Sequence, residues 1–378
     1  MAPSFAPSFK KFKQHFKLIL IYLYLMTKFD KKLLKRVLDR LKDIDKKLLL
    51  NYHIVLLPDF FIDHFLTFSE FEDNIPKLEN IYKQGGGNIP GINQKISQGG
   101  NASNTALALA KLGFSSHLIC RTDEFGLYLL NYFLGRKGVD LSGVKTDGKL
   151  AITTALEFGK KHTNIMIGDV GSVSDFSFDI LNEKDKELIS KSDMLCVTNW
   201  NLNKMGTDLA ENAFKFAKKY NIKTFFDTGD PSSRKNEISS LINNVLANPS
   251  LDILGLNEIE LSYYSGIEIK SADDAINAIN LLRKIVSARI DLHTANFSCS
   301  ADERFTFIPT PNIENKYRST GAGDIWNAGN IFADILKFEN DERLFFANSV
   351  ACFYISSLEP LPPDIENITS FISNMIKL

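Results

Sequence analysis

The sequence predicts an α/β protein with a mostly parallel central sheet and a small separate β-sheet lid. Short apolar runs alternate with amphipathic stretches over most of the chain, the pattern of repeated β-α units that build a parallel sheet covered on both faces. A chain of 378 residues, 44% hydrophobic and 24% charged, suits one large domain with additions better than two separate ones. Three segments, 65–71, 92–97 and 152–167, do not keep the β-α rhythm and read as the lid.

The elements follow in order. Residues 1–50 form a basic extension with 13 Lys and Arg against 4 Asp and Glu, a local charge of +9 that leaves −10 over residues 51–378. The acidic remainder excludes a general affinity for nucleic acid. The apolar run 18–26 is too short to span a bilayer, which takes about 20 residues. Residues 1–25 are expected to lie outside the functional protein, with Met26 as the natural start; an intact mass on natively produced protein tests this. Over 28–50, Leu34, Val37, Leu41, Ile44 and Leu48 repeat at helical spacing and predict one amphipathic helix.

Residues 51–378 then form the main domain. A buried strand over 52–57 ends at Pro58, and a loop at Gly85-Gly86-Gly87 precedes the short strand near 92–97. A helix follows Gly100 and runs to Gly113, with Asn101 to Asn104 at its capping end. Next come a strand over 116–120, a helix over 125–136, and a hairpin-like pair at 152–158 and 164–167. Strands at 194–198, 222–227, 253–256 and 289–293 alternate with helices at 206–220, 235–245 and 272–286. Helices at 322–337 and 341–357 close the chain. Cys120, Cys196, Cys299 and Cys352 are widely spaced, with no Cys-x-x-Cys pair, and read as reduced thiols in a cytoplasmic protein.

Two motifs carry the chemistry. In Thr320-Gly321-Ala322-Gly323-Asp324, the glycines allow backbone conformations closed to other residues, so successive N–H groups and a helix's positive end can converge on an anion. Asp324 then lies where it can take a proton from a hydroxyl. The competing reading is a strand-to-helix turn with an aspartate cap. Gly99-Gly100-Asn101-Ala102-Ser103-Asn104 is a glycine hinge running into a helix, able to present polar groups to a sugar-like substrate. No Gly-x-x-x-x-Gly-Lys-Ser/Thr loop is present, so the chain is not a P-loop kinase.

These residues resemble the PfkB carbohydrate kinases, the ribokinase-like sugar and nucleoside kinases. Gly99 to Ala106, continuing to Asp123-Glu124-Phe125-Gly126, is similar to the family's first signature, and Ser319 to Asp324 with Ala328-Gly329 to its second. Gly138-Val139-Asp140 and Asn257-Glu258-Ile259-Glu260 match elements between them, and the match runs from about 52 to 357. The resemblance implies a ribokinase-like three-layer sandwich, with ATP and Mg²⁺ as cofactors. It implies that Asp324 is the catalytic base and that the backbone of Gly321, Ala322 and Gly323 forms an anion hole for the γ-phosphoryl. Asp63, Gly99, Gly100, Asn101 and Asn104 are implied to bind substrate. Asn257, Glu260, Thr320 and His293 are implied at the nucleotide, and Glu260 at Mg²⁺ through water. For Asn104 a plain helix cap competes.

One stretch departs from the pattern: many relatives carry a glycine turn after the strand at 289–293, whereas Leu292 to Ser298 here contains none. Asp230 and Arg234 read either as phosphate ligands or as a proline turn held by a salt bridge. The expected activity is phosphorylation of a hydroxyl on a sugar, sugar acid or sugar phosphate. A nucleoside kinase, with Phe65, Phe68, Phe71 and Phe158 clasping a base, and a non-catalytic sugar- or nucleotide-binding regulator are the rivals. The expected partners are a small sugar-like molecule and a second copy of the chain, a homodimer pairing exposed lid edges, with neither nucleic acid nor membrane.

Overall fold

The computed structural model describes residues 30–159 and 163–377. The expectation for residues 1–25 lies outside the described residues. Eight strands form the central sheet in the order β12-β11-β10-β9-β8-β7-β1-β4. Their ranges are β1 His53–Leu57, β4 Ser115–Leu118, β7 Met194–Val197, β8 Lys223–Asp227, β9 Ile253–Leu256, β10 Arg289–His293, β11 Phe297–Ala301 and β12 Phe305–Pro309. From β4 through β10 every neighbouring pair is parallel. The last two strands, which the sequence reading passed over, add an antiparallel hairpin at one edge.

The chain leaves β1 toward β4 on one side and later returns to β7 on the other. This reversal opens a crevice at the carboxyl ends of β1 and β7, the place where open α/β sheets bind ligands. Over that end lies a second sheet, order β3-β2-β5-β6, built from β2 Phe61–Phe68, β3 Asn93–Gly99, β5 Ala151–Phe158 and β6 Thr163–Asp169. Its central pair β2/β5 is parallel and its outer pairs are antiparallel.

Helices cover both faces of the central sheet. On one face, Ala322–Ile335 packs between Asn101–Leu112 and Asn340–Ser356, and Gly329 lets two helices meet closely: a Cβ there would lie 3.0 Å from Ala347 Cα. On the other, Gly206–Lys218 and Ala272–Leu282 bury Leu209, Ala213, Phe214, Ala275 and Ile279. A buried ion pair ties the layers, with Arg343 donating to Asp291 Oδ2 at 2.9 Å and to Ser300 Oγ at 2.8 Å. The two flanking guanidiniums, Arg289 and Arg343, overcome burial and hold the Asp291 carboxyl far below its usual range.

Several elements differ from expectation. The single helix over 28–50 is two, Lys31–Lys42 and Lys46–Leu49, because Asp45 starts a new N-terminus by accepting from Lys47 N. In consequence Leu49 is buried while Leu48 is 56% exposed. The first of these helices still docks its apolar face on the main domain, against Asn340–Ser356 and Ile365–Lys377. That C-terminal helix was not anticipated, nor was Phe71–Lys83, where Pro76 interrupts the helical pattern. The segment expected as a helix over 235–245 is a 3₁₀ stretch, Pro231–Glu237, then one α turn, Ile238–Leu241, and a wide π turn, Ile242–Leu246.

Candidate active site

The site is assembled at the carboxyl ends of β1, β7, β8, β9 and β10, around a cavity of about 300 Å³. Its foundation is Asp59, just past β1 and fully buried. Helix Asn101–Leu112 has Gly100 at its N-cap, which offers no side chain. Asp59 supplies the missing cap from across the fold, accepting the N–H of Asn101 at 2.7 Å and of Ala102 at 3.0 Å. It also accepts from Thr198 Oγ1 and Asn199 Nδ2, each at 2.9 Å. Of the two readings of Asn104, the helix cap gives way, because its amide bonds Asp324 and not its own helix start, and Asn101 and Asn104 both line the cavity. Gly100 is required twice over, by φ of 101° and because a Cβ would lie 2.8 Å from Asp59 Oδ2.

Asp63 enters from β2. It lines the cavity with Thr153 of the neighbouring strand β5, and burial with nearby Asp59 pushes its carboxyl up to about 6. Gly99, diagonal to it on β3 and opposite Phe61, makes room for it: a Cβ at Gly99 would lie 2.2 Å from Asp63 Oδ2. Gly99 itself is not among the lining residues; it lies against the Asp63 carboxylate.

Opposite stands Asp324, 8% exposed, in the first turn of helix Ala322–Ile335. Asn104 Nδ2 donates to its Oδ2 at 2.9 Å, and Thr105 Oγ1 donates to its main-chain carbonyl at 3.3 Å. Burial raises the Asp324 carboxyl well above the carboxylate range; the Asn104 amide opposes this, while Asp227, Asp59 and Asp63 add to it. Gly321 caps the helix in the left-handed region, φ 78°. Of the three expected anion-hole members, Ala322 is already engaged, donating its N–H to Ser319 O at 3.1 Å. Ile325 N returns to Gly321 O at 3.1 Å, so helix geometry leaves the N–H groups of Gly323 and Asp324 without an intrahelical acceptor. Within the helix these two, and not Ala322, are the donors the turn can offer an anion, and the N–H of the capping residue Gly321 makes no main-chain bond either.

Asn257, Glu260, Thr320 and His293 all line the same cavity. Asn257 and Glu260 form a reciprocal cap on helix Glu258–Ser265. Glu260 accepts Asn257 N at 2.9 Å and Asn257 Nδ2 at 2.8 Å, and Asn257 Oδ1 accepts Ile259 N and Glu260 N. Burial and neighbouring Asp227 raise the Glu260 carboxyl well above its ordinary value. Burial against Trp326, 5.0 Å away between ring centres, lowers the His293 imidazole to about 4, so it is neutral at physiological pH. Among the described residues no three His, Cys, Asp or Glu side chains gather as a metal-binding group. With both Glu260 oxygens already engaged by Asn257, this donor set suits a hydrated Mg²⁺ held through its waters and not one stripped to protein ligands.

Asp230, Arg234, Arg121, His64 and the lid phenylalanines all fall outside the cavity lining. Arg234 stacks on Trp200 at 4.1 Å and bonds Glu237 and the Trp200 and Asn203 carbonyls, while Asp230 caps Ser232; neither lines the cavity. Arg121 pairs with Asp147, and His64 with Gln94. Phe68 and Phe71 pack on Phe158 at 5.1 Å, and none of these or Phe65 lines the cavity. Sequence reasoning missed Asp59, Asp227, Asn199, Phe61, Thr153, Met166 and Leu202. Asp59 and Asp227 carried one usable signal, an acidic residue directly at the end of an apolar strand; the others carried none.

Comparison with known proteins agrees with this architecture. Residues 69–365 match the pfkB family of carbohydrate kinases. A ribokinase of Haemophilus influenzae is 24% identical over 278 residues, covering 72% of this chain and 85% of that protein. Among solved structures, an Arabidopsis thaliana ribokinase complexed with ribose and ATP aligns with a TM-score of 0.69 at 18% identity, over 85% of this chain and 98% of that one. An adenosine kinase from Sinorhizobium meliloti aligns at 0.68 and 16%, over 86% and 99%. The fold is the ribokinase-like sandwich, with its mostly parallel sheet, separate small sheet and flanking helices. The chain belongs to the pfkB family of carbohydrate kinases.

Proposed function

We propose that the protein transfers the γ-phosphoryl group of ATP to a hydroxyl of a sugar-like acceptor, with Asp324 as base. The observation that carries this reading is the position of Asp324. It shares one cavity with Asp63 and Asn101, at a helix start whose Gly323 and Asp324 N–H groups are uncommitted. The acceptor proton passes to the Asp324 carboxylate as the hydroxyl oxygen bonds to the γ-phosphorus. The bond from that phosphorus to the β–γ bridging oxygen breaks, and ADP leaves. Charge spread over the equatorial oxygens is stabilised by the two N–H groups and the helix's positive end, each good donor contributing about 3 kcal/mol.

Asp63, Asn101 and Asn199 hold the acceptor, Thr320 and His293 flank the triphosphate, and Asp227, Asn257 and Glu260 would hold Mg²⁺ through water, where it would supply positive charge to the phosphates. Phe61, Asp63, Thr153 and Met166 belong to the small sheet, so its closing completes the site and excludes water that would otherwise hydrolyse ATP. The opposite face of that sheet exposes Ile96, Ile152, Ile165 and Ile167, which supports the reading of a homodimer joined there, in the cytoplasm. Coupled measurement of ADP release over sugars, sugar acids, sugar phosphates and nucleosides tests the activity. No release with any of them, together with tight ligand binding, replaces the kinase reading by that of a binding regulator.

A further inference from the structure

We infer that the acceptor is electrically neutral, a sugar carrying neither carboxylate nor phosphate. This rests on the reading of the cavity as the acceptor site. Seventeen residues line it, among them Asp63, Asp227, Glu260 and Asp324, and not one is Lys or Arg. His293, the single imidazole in that lining, is neutral at physiological pH. The wall on the Asp63 side is completed by Phe61, Asn101, Thr153, Met166, Asn199 and Leu202, which are amides, a hydroxyl and apolar groups.

Of the basic residues on neighbouring segments, Arg121 is paired with Asp147, Lys149 with Asp169 and Arg234 with Glu237, Arg318 donates to the Tyr354 and Leu358 carbonyls, and the exposed Lys95 of β3 is outside the lining. Behind Asp63 lies the buried carboxyl of Asp59, so the acceptor end is backed by a second acid. The two uncommitted N–H groups at the start of helix Ala322–Ile335 lie beside Asp324, where the transferred phosphoryl is bound. They are already used when a triphosphate is present. An anionic group on the acceptor would lose its hydration without gaining a cation or a free helix end, and would face like charge at Asp63. Neutral hydroxyls meet what the wall does offer, a carboxylate acceptor and amide groups that both donate and accept.

The test compares acceptors of matched skeleton: ribose against ribose 5-phosphate, fructose against fructose 6-phosphate, and glucose against gluconate. Both ADP release and, without ATP, calorimetric binding are read. The neutral member of at least one pair is expected to exceed its anionic partner by about 100-fold in kcat/KM and to bind more tightly. Met166→Lys, on a half-exposed position of the small sheet that faces the cavity, is expected to raise affinity for the anionic partner about tenfold. Neutral sugars that bind and are not phosphorylated leave this inference standing and remove the kinase reading. An anionic sugar that binds or reacts better than its neutral partner overturns the inference while leaving the kinase reading intact. Absence of neutral-sugar binding at millimolar concentration also overturns it.

Discussion

The side-chain amide of Asn104 donates to Oδ2 of Asp324 at 2.9 Å, joining two residues 220 positions apart. The contact links the helix behind the glycine hinge to the helix behind the glycine turn. It also acts on chemistry, since it is the largest influence opposing the rise of the Asp324 carboxyl's proton affinity. A base must be ionised to work, so this amide favours the working form.

Asp324→Asn is expected to lower kcat by about 10² to 10⁴ while leaving the far-ultraviolet circular dichroism intact and thermal stability undiminished. Full activity in this variant removes the base assignment.

Asn104→Ala should act through pH. Without the amide, the carboxyl holds its proton to higher pH, so the acid limb of the kcat/KM profile moves upward. A profile that drops uniformly without moving assigns Asn104 to packing alone.

Gly99→Ala places a methyl 2.2 Å from Asp63 Oδ2 and forces that carboxylate to shift. The acceptor KM should rise about tenfold or more with ATP affinity nearly unchanged, as for Asn101→Ala. Equal losses for both ligands place the two residues outside the acceptor site.

Asp63→Asn should separate stability from function. A carboxyl whose value rises from its ordinary 3.8 to about 6 on folding binds protons more readily in the native state, so its contribution is lost as pH rises through that window. At pH 7 the amide variant should be more stable by on the order of 2 kcal/mol, an advantage that fades below about pH 4, while acceptor binding falls. Urea titrations at pH 4 and pH 7 check the sign.

Asp59→Ala removes an acceptor from four donors and leaves three of them unpartnered, the first two N–H groups of helix Asn101–Leu112 and Asn199 Nδ2, while Thr198 Oγ1 keeps the Leu57 carbonyl at 3.3 Å. A loss of about 2 to 4 kcal/mol in chemical denaturation is expected, with Asp59→Asn milder because an amide oxygen still accepts.

Much of this was legible without coordinates. The β-α rhythm determined the layers, and glycine placement determined both motifs, because periodicity and backbone freedom are local properties that survive in a linear string. Strands β9 and β10 matched residue for residue. Asp324 and Asn101 were singled out at helix starts behind glycine turns and Asn257 by its resemblance to the family's Asn-x-x-Glu element, and all three line the cavity. The hairpin β11–β12 was not legible, since short strands carry too little pattern. Helix Phe71–Lys83 escaped because Pro76 interrupts its repeat.

Tertiary structure alone decided the role of Asp59, whose four donors come from segments more than 40 residues away. It decided that Asn104 serves Asp324 and not its own helix, that Gly99 yields space to Asp63, and that Ala322's N–H is spent within its turn. The charge of the cavity wall belongs to the same class. A sequence states which residues are acidic, but burial, proximity and the absence of a cation in that wall arise only when distant strands end at one place.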